Sequence, residues 1–162
     1  MANGAGPQTR QQDGVITLEN ALRVERPELG PYAPVALFRL VRLVALEAIV
    51  GRGASGTFFV AGKRLGESLG LTKVDEFLKL CDQLSIGKID VIQHSSTHFH
   101  IDVRECVTCS GMAAVGRPIC HFEGGLISGA LKGILQADNR TREVTCIGGL
   151  GDQACGFDIQ VL

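Results

Sequence analysis

The chain of 162 residues has no tryptophan and a single tyrosine, Tyr32, and aromatic residues make up only 5% of it. Proteins that hold single-stranded nucleic acid usually stack its bases on aromatic rings. The charge is equally unfavourable, because a net charge of −1 at pH 7 provides no basic surface for a phosphate backbone. We therefore expect no nucleic-acid partner.

The chain also lacks a long uninterrupted apolar segment. Its longest apolar run, residues 35–50, is interrupted by Arg39, Arg42 and Glu47 and is shorter than the ~20 residues that span a bilayer. Residues 1–12 are polar and have no apolar segment of the kind found in secretory signals, so we predict a disordered leader there. These patterns favour a protein without a membrane span, located in the cytoplasm, where thiols stay reduced.

Sequence signatures of common enzyme classes are missing as well. No P-loop or dinucleotide-binding glycine pattern follows a predicted strand, and no nucleophile elbow of the form G-x-S-x-G is present. A reductase needs a hydride source, and the sequence shows no site for nicotinamide or flavin. We therefore expect a binding protein rather than an enzyme, with an enzymatic role left open as an alternative.

Glycine, in contrast, is abundant, since the 21 glycines of the chain are about twice the usual share of ~7%. Gly125, Gly129 and Gly133 follow one another at i+4 spacing on a predicted helix. Glycine in a helix interior costs about 1 kcal/mol relative to alanine, so this stripe implies that another group approaches the backbone. Tight packing on a neighbouring helix or sheet is the favoured interpretation, and a cavity widened for an oily ligand is the alternative.

Hydrophobic periodicity predicts an α+β fold. N-terminal helices precede a four-stranded antiparallel sheet, which consists of two hairpins with one helix between them. Thr72 is the expected N-cap of the third helix, and residues 13–162 are expected to form a single domain. The predicted helices are 35–50, 57–70, 72–84 and 118–136, and the predicted strands are 89–93, 99–103, 141–147 and 154–161.

The first predicted helix, residues 35–50, is apolar around most of its circumference. Arg39 and Arg42 form a narrow polar edge on it. A helix of this kind is normally buried on several sides. We therefore expect part of its face to meet a second subunit, which makes the protein a homodimer.

Three cysteines and a glutamate near the C-terminus indicate a metal site. Glu143 and Cys146 form an E-x-x-C pair, Cys155 follows a glycine-rich hook, and Cys120 lies near the start of the fourth helix. The hairpin turn brings Cys146 and Cys155 together, and a local bulge is needed to direct Glu143 to the same ion. Three thiolates with one carboxylate make a closed tetrahedral site that suits structural zinc. The alternative is that Cys146 and Cys155 are ordinary core residues.

The loop 104–117 adds Cys106 and Cys109 in a C-x-x-C spacing. Such a pair can be half of a zinc knuckle, an inert turn or a redox dithiol. We predict that both thiols lie near the zinc or replace other ligands, in which case Glu143 is displaced. His121 follows Cys120 but projects about 100° away from it on a helix, so we expect it beside the ligands rather than among them.

Residues 118–131, PICHFEGGLISGAL, and 143–157, EVTCIGGLGDQACGF, resemble the vinyl-4-reductase domain family of small-molecule or hydrocarbon binders. That family includes the 4-vinyl reductase proteins of bacteriochlorophyll biosynthesis and the sensor domains of aromatic-responsive transcription activators. The resemblance is strong over 92–162 and looser over 29–84. It implies a fold like that of the transport-protein-particle (TRAPP) subunits of vesicle tethering. In the sensor domains the zinc ligands are a Cys, a Glu and two further Cys, which correspond here to Cys120, Glu143, Cys146 and Cys155.

The resemblance implies a zinc-stabilised binding domain for a hydrophobic small molecule, aromatic or tetrapyrrole, acting as sensor, carrier or assembly factor. One alternative is a tetrapyrrole 4-vinyl reductase, or its accessory subunit, in (bacterio)chlorophyll biosynthesis. The other is a purely structural dimerisation module. A ligand pocket needs mostly apolar walls, and the expected lining residues are Phe58, Phe59, Phe77, Phe99, Phe122, Leu126 and Ile127.

Overall fold

The computed structural model describes residues 16–51 and 54–162, apart from the side chains of residues 93 and 94. The described residues divide into two compact units, one before Pro34 and one over residues 34–162. The first unit contains the short helix α1 (Leu18–Leu22), whose N-cap Thr17 accepts a hydrogen bond from the Asn20 N–H at 3.2 Å. The predicted leader, 1–12, lies outside the described residues, and a single domain over 13–162 stays a prediction.

The second unit has the predicted α+β architecture. Its four strands form one antiparallel sheet in the order β1-β2-β4-β3, with one long helix between the two hairpins in the chain. This confirms the fold class inferred from periodicity. The helical segments are α2 (Val35–Arg39), a π-helical stretch (Leu40–Leu46), α3 (Glu47–Val50), α4 (Ser55–Ser68), α5 (Val74–Gln83), α6 (His121–Leu135) and α7 (Ile147–Leu150), and the strands are β1 (Lys88–His94), β2 (His98–Arg104), β3 (Asn139–Thr145) and β4 (Cys155–Val161).

The core lies between one face of the sheet and α6. Alternate residues of β2 are buried, as a strand with one covered face requires. In the register, Phe99 faces Ile159 and Ile101 faces Phe157 across the central strand pair. These side chains join the apolar side of α6 in one cluster, so β2 and β4 form the base on which the cysteine-bearing segments are placed.

Helices α4 and α6 pack with their backbones in direct contact. A Cβ atom at Gly125 would collide with the Phe59 carbonyl oxygen, and one at Gly129 would collide with the Lys63 carbonyl oxygen. Gly62 and Gly66 meet α6 from the opposite side in the same way. Of the two interpretations of the glycine stripe, tight packing is therefore confirmed, and these two helices leave no room for a ligand between them.

We expect Gly129→Ala to destabilise the domain by about 3 kcal/mol, because its Cβ would lie 2.9 Å from the Glu67 backbone nitrogen and overpacking of this kind costs about 1–3 kcal/mol. Gly133→Ala on the same helix is the matched control, since its Cβ would sit 3.4 Å from the Leu71 carbonyl oxygen. The control should be neutral or stabilising by up to about 1 kcal/mol. Urea unfolding measures both, and equal effects would contradict direct backbone contact.

Two predicted helix starts were wrong by a few residues. The N-cap of α5 is Lys73, not Thr72, because the Glu76 carboxylate accepts the backbone N–H groups of both residues at 3.2 and 3.0 Å. Helix α6 begins at His121 rather than at Pro118, and Cys120 is its N-cap. The chain before it is not helical, and the Ile119 carbonyl there accepts hydrogen bonds from Arg42.

The helical segment 35–50 forms as predicted, but its polar side chains face the interior of the protein and its apolar side chains face outward. Arg42 is 6% exposed, whereas Val44 is 61% and Ile49 80% exposed. Within the described part of the single chain this segment is therefore not buried on several sides, and burial of its apolar face by a second subunit stays a prediction. Its polar side chains turn inward because they bind the loop that precedes α6. The apolar side chains left outside are Val35, Leu37, Phe38, Leu40, Val41, Val44, Leu46, Ile49 and Val50.

Among the described helices, none is both long and apolar enough to cross a bilayer.

On the open face of the sheet, His100 links β2 to β4. Its Nδ1 lies 2.6 Å from Asp158 Oδ1, and its Nε2 lies 3.3 Å from Asp102 Oδ1. The hydrogen bond with Asp158 raises the pKa of His100 above its ordinary value, and this outweighs the opposing effect of partial burial. Protonated His100 therefore binds both carboxylates more favourably than the unfolded chain can.

The raised pKa of His100 predicts a pH-dependent stability. The contribution of protonated His100 to the stability of the folded protein should be fully present below the unfolded-state pKa of about 6.5. It should disappear as pH rises through the higher folded-state pKa. We expect the difference in Tm between the wild type and His100→Gln to be largest in mildly acidic buffer and to shrink in alkaline buffer. Scanning calorimetry across this range tests it, and a constant Tm difference would count against the ion pair.

Candidate metal centre

The loop after β2 carries the first two cysteines of the site. The backbone N–H groups of Cys109 and Ser110 both donate to the Cys106 carbonyl, with N···O distances of 3.2 and 3.0 Å. This tight turn places the two thiols on the same side of the loop. Arg39 holds the turn from outside, since its Nε donates to the Val107 carbonyl at 2.7 Å.

The β3–β4 hairpin carries two more cysteines of the site. Cys146 directly follows β3, Cys155 opens β4, and the short helix α7 lies between them. The Cys146 N–H donates to the Asp152 carboxylate at 2.8 Å, which closes the hook. The β3–β4 register shifts between Glu143 and Thr145, so the predicted bulge is confirmed.

Five buried thiols converge where these segments meet Cys120. Cys120 Sγ lies 3.4 Å from Cys109 Sγ and 3.6 Å from Cys155 Sγ. It also lies 3.6 Å from Cys106 Sγ and 3.8 Å from Cys146 Sγ. All five are free thiols with no measurable solvent exposure, so the cluster is closed to water.

These sulfur distances fit ligands around one ion. A disulfide would bring two sulfurs to about 2.05 Å, far closer than the shortest separation, 3.3 Å between Cys109 and Cys155. A metal–sulfur distance of about 2.3 Å in a regular tetrahedron places its sulfurs about 3.8 Å apart. The cluster therefore has the size of a single tetrahedral thiolate site.

The potential ligands fall into two groups that share Cys120. One consists of Cys106, Cys109, Cys120 and Cys155, and the other of Cys120, Glu143 and Cys146; within each group all ligand atoms lie within 4.8 Å of one another. The structure thus brings the C-x-x-C pair into the site together with the four residues predicted as ligands. Which of the six residues bind the ion stays a prediction at this point.

Glu143 is held mainly by the backbone of Cys120. The Cys120 N–H lies 3.1 and 3.0 Å from the two carboxylate oxygens, and His121 Nδ1 lies 3.4 Å from one of them. Burial, with a further contribution from Cys146, raises the pKa of Glu143 to about 9. His121 therefore contacts Glu143, and its role beside the ligands stays a prediction.

The thiols of the cluster differ electrostatically from an isolated buried cysteine. Hydrogen bonds from Cys109 and then from Cys120 and Cys155 lower the pKa of Cys106 well below its ordinary value. Burial alone raises the pKa of Cys81, which lies outside the cluster on α5, to about 12. The same mutual hydrogen bonding, that with Cys106 first, raises the pKa of Cys120 and Cys155. Within the cluster the thiolate, which is the form that binds metal, is therefore favoured at Cys106 and disfavoured at those two thiols.

A buried ion pair supports the loop from the other side. Arg42 Nη2 lies 3.2 Å from Glu123 Oε2, with side chains 7% and 3% exposed, and Glu123 also accepts a hydrogen bond from the Thr108 hydroxyl. Both terminal nitrogens of Arg42 lie 3.3 Å from the Ile119 carbonyl oxygen, next to Cys120. The sequence-based interpretation named Arg42 only as part of a polar edge and missed Glu123, although charged residues within two otherwise apolar runs were the available signal.

The guanidinium of Arg42 is also covered by aromatic rings. Its central carbon lies 5.4 Å from the centre of the Phe58 ring and 5.8 Å from that of Phe122. Cation–π contacts of this length are favourable when the cation is removed from water. Two of the phenylalanines predicted to line a ligand pocket thus contact a buried charge instead.

A cavity of about 490 Å³ lies between the 35–50 segment and the cysteine loop. None of the seven predicted pocket residues lines it, and four of them, Phe77, Phe99, Leu126 and Ile127, belong to the buried core. Phe58, Phe59 and Phe122 are half-buried. The cavity is lined by Leu43, Val44, Glu47, Met112, Val115, Gly116, Arg117 and Ile119.

Three solved structures share this fold. A vinyl-4-reductase family protein from Methanocaldococcus jannaschii matches with a TM-score of 0.64 at 19% identity, over 83% of this chain and 85% of that chain. The phenol-responsive sensory domain of the transcription activator PoxR, solved with phenol, matches at 0.63 and 16% identity, over 80% and 75%. A trafficking protein particle complex subunit 3 from Naegleria fowleri, covalently bound to palmitic acid, matches at 0.57 and 13% identity, over 79% and 95%. The TRAPP-like fold is therefore confirmed.

Sequence comparison gives the family. An uncharacterised protein of Methanocaldococcus jannaschii is 28% identical over 135 residues, which are 83% of this chain and 82% of that protein. A second uncharacterised protein of that organism is 36% identical over 77 residues, which are 48% of this chain and 81% of the relative. The family model of the vinyl-4-reductase domain matches residues 99–161. The chain belongs to the vinyl-4-reductase domain family, as its resemblance indicated.

Proposed function

We propose that this domain binds a hydrophobic small molecule and that a zinc ion in the cysteine cluster stabilises it. The observation that carries this proposal is the cavity beside the cysteine loop. Its volume of about 490 Å³ lies within the range of about 300–1,000 Å³ that is usual for small-molecule sites. The shared fold of a phenol-responsive sensory domain supports a role as sensor, carrier or assembly factor.

The cavity walls suit a flat or oily ligand with one polar group. Leu43, Val115 and Ile119 provide apolar wall surface, and the ion pair between Arg117 and Glu47 supplies the charged groups. Pockets for small molecules generally combine such apolar walls with a few polar anchors. Arg117 can donate a hydrogen bond to a phenolic oxygen or a carboxylate on the ligand.

Zinc would supply folding free energy and would also shape the cavity. Binding a structural ion fixes segments that are far apart in sequence, here the loop 105–120 and the β3–β4 hairpin. Met112 and Arg117 of the cavity wall belong to this same loop. The Gly116 N–H donates to the Gly149 carbonyl at 2.9 Å, so the loop already rests on the hairpin that the ion would fix.

A homodimer accounts for the apolar face of the 35–50 segment. The nine exposed apolar side chains on it form the kind of surface that monomeric proteins rarely leave uncovered. A second copy that presents the same face would pair these side chains symmetrically. This face is also the observation that favours the second candidate function, a purely structural dimerisation module, in which the cavity stays empty.

Native mass spectrometry of freshly purified protein tests ligand, metal and oligomer together. We expect a dimer that carries one zinc ion per chain. We also expect it to bind a small molecule, either copurified or added, such as phenol. Val115→Trp should fill the cavity and abolish phenol binding while leaving the zinc content unchanged. Phenol binding that persists in this variant would contradict the cavity as the site, and a dimer that never takes up a ligand would favour the structural module.

We expect Val44→Glu to convert the dimer to a monomer, because it buries a carboxylate in the centre of the proposed interface. The mass measured by analytical ultracentrifugation should halve. Leu84→Glu is the matched control, since Leu84 is a comparably exposed apolar residue, at 47%, outside the 35–50 segment. The homodimer would be refuted if the wild type sedimented as a monomer at all concentrations.

A further inference from the structure

We propose that the ion is bound by four thiolates, those of Cys106, Cys109, Cys120 and Cys155, and that Glu143 and Cys146 are not ligands. This inference rests on the proposed zinc site and specifies its ligands. It differs from the set implied by the resemblance, in which the C-x-x-C pair takes no part.

The distances favour the four thiols as one complete set. The pairs Cys109–Cys155 and Cys109–Cys120 are separated by 3.3 and 3.4 Å, and Cys120–Cys155 and Cys106–Cys120 both by 3.6 Å. All four sulfurs lie within 4.8 Å of one another. Four soft donors in a compact group complete a tetrahedral site without any carboxylate.

Glu143 already has other partners. Both of its carboxylate oxygens are within hydrogen-bond distance of the Cys120 N–H, and His121 Nδ1 approaches one of them. Groups that hold a ligand's backbone or side chain commonly surround metal ions without touching them. Glu143 therefore positions Cys120 at the start of α6, and the ion does not need it.

Cys146 is the fifth thiol at a site with four positions. Its sulfur lies 3.8 Å from Cys120 Sγ, the longest of the four separations from that sulfur. It interacts with Cys109 and Cys155 but is not part of the four-thiol group whose sulfurs all lie within 4.8 Å of one another. Cys155, by contrast, accepts a hydrogen bond from the Ile147 N–H at 3.4 Å, an interaction that stabilises a thiolate ligand. Cys146 thus remains a neighbouring thiol at the edge of the site.

The surroundings also fit the charge of a four-thiolate centre. Four thiolates around a divalent ion leave two net negative charges, which need nearby positive groups. Arg39 donates to the Val107 carbonyl next to Cys106, whereas the charge of Arg42, which donates to the Ile119 carbonyl, is already paired with Glu123. Cys120 lies at the N-terminus of the 15-residue helix α6, where the helix dipole favours a thiolate.

Two pairs of variants distinguish the two ligand sets. Cys106→Ser and Cys109→Ser should each lose the zinc that copurifies with the wild type. Glu143→Gln and Cys146→Ser should keep one zinc per chain, with affinity reduced by no more than about 10–100-fold, as for residues around a site. Chelator competition and elemental analysis measure this. Cobalt-substituted wild type should show sulfur-to-cobalt charge transfer of four-thiolate intensity, and Glu143→Gln should leave it unchanged.

X-ray absorption of the wild-type zinc protein tests the inference even if variants fail to fold. Four sulfurs at about 2.3 Å with no oxygen at about 2.0–2.2 Å are expected. An oxygen ligand, or zinc lost from Glu143→Gln and Cys146→Ser but kept in Cys106→Ser and Cys109→Ser, would overturn the four-thiolate set and leave the proposed function intact. Wild-type protein that binds no metal would overturn the zinc site itself.

Discussion

Cys120→Ser should yield a protein without bound metal and with the largest loss of stability of any single substitution considered for this chain. Cys120 Sγ lies within 3.8 Å of four other thiols and belongs to both possible ligand groups. Structural zinc contributes about 10–16 kcal/mol in small zinc-binding peptides, which is comparable to the entire stability of a typical domain, about 5–15 kcal/mol. We therefore expect the Tm to fall by tens of degrees or the loop 105–120 to unfold at ambient temperature.

Metal analysis with calorimetry in the presence and absence of a chelator provides the measurement. Wild type treated with chelator should behave like Cys120→Ser, because both lose the same ion. Cys81→Ala is the matched control: Cys81 is also a buried free thiol, 1% exposed, but it lies on α5 outside the cluster. It should keep its zinc and lose only the packing of one small side chain. A Cys120→Ser protein with wild-type Tm would contradict the metal centre.

The architecture was predictable because it depends on periodicity. The alternation of buried and half-buried residues in β2 and the glycine spacing on α6 are both readable in one dimension. Each pattern has a single physical solution, a strand with one covered face and a helix in close contact with another helix. The N-caps of α5 and α6 were misplaced because the side chains of Glu76 and Arg42 bind backbone groups at the starts of these helices.

The orientation of the 35–50 segment could not be predicted from its composition. An apolar run indicates that part of its surface is buried, but it does not indicate which group buries it. The segment turns Arg42 inward, where Glu123 and the Ile119 carbonyl are its partners. Ile119 and Glu123 are 77 and 81 positions away from Arg42 in sequence. Periodicity carries no information about contacts at that range.

The cysteine cluster was predictable in part. The predicted hairpin and its bulge correctly brought Glu143 and Cys146 towards Cys120. The contribution of Cys106 and Cys109 stayed open because the loop 105–120 has no periodic pattern from which its path could be inferred. The alternative functions, including a 4-vinyl reductase, likewise stay predictions, since fold similarity does not determine chemistry.

Arg42→Met should destabilise the domain by about 3–5 kcal/mol, the usual cost of leaving the partner of a buried ion pair uncompensated. The partner here is Glu123, which is 3% exposed and retains only the Thr108 hydroxyl as a hydrogen-bond donor among its described side-chain contacts. Burial already raises the pKa of Glu123 above its ordinary value, with the charge of Arg42 opposing this. Without Arg42, we expect Glu123 to take up a proton on folding, so the loss of stability should grow as pH rises.

A double-mutant cycle separates the ion pair from simple loss of packing. Arg42→Met combined with Glu123→Gln removes both charges and should recover much of the lost stability, because a neutral amide costs less to bury than an unpaired carboxylate. Lys132→Met is the matched control on the same helix α6 as Glu123. It breaks exposed ion pairs with Asp138 and with Glu67 of α4 and should leave stability nearly unchanged. If the double variant is no more stable than Arg42→Met, the guanidinium acts through its hydrogen bonds to the Ile119 carbonyl. In that case the loss of Arg42 should weaken zinc binding as well, since that carbonyl directly precedes Cys120.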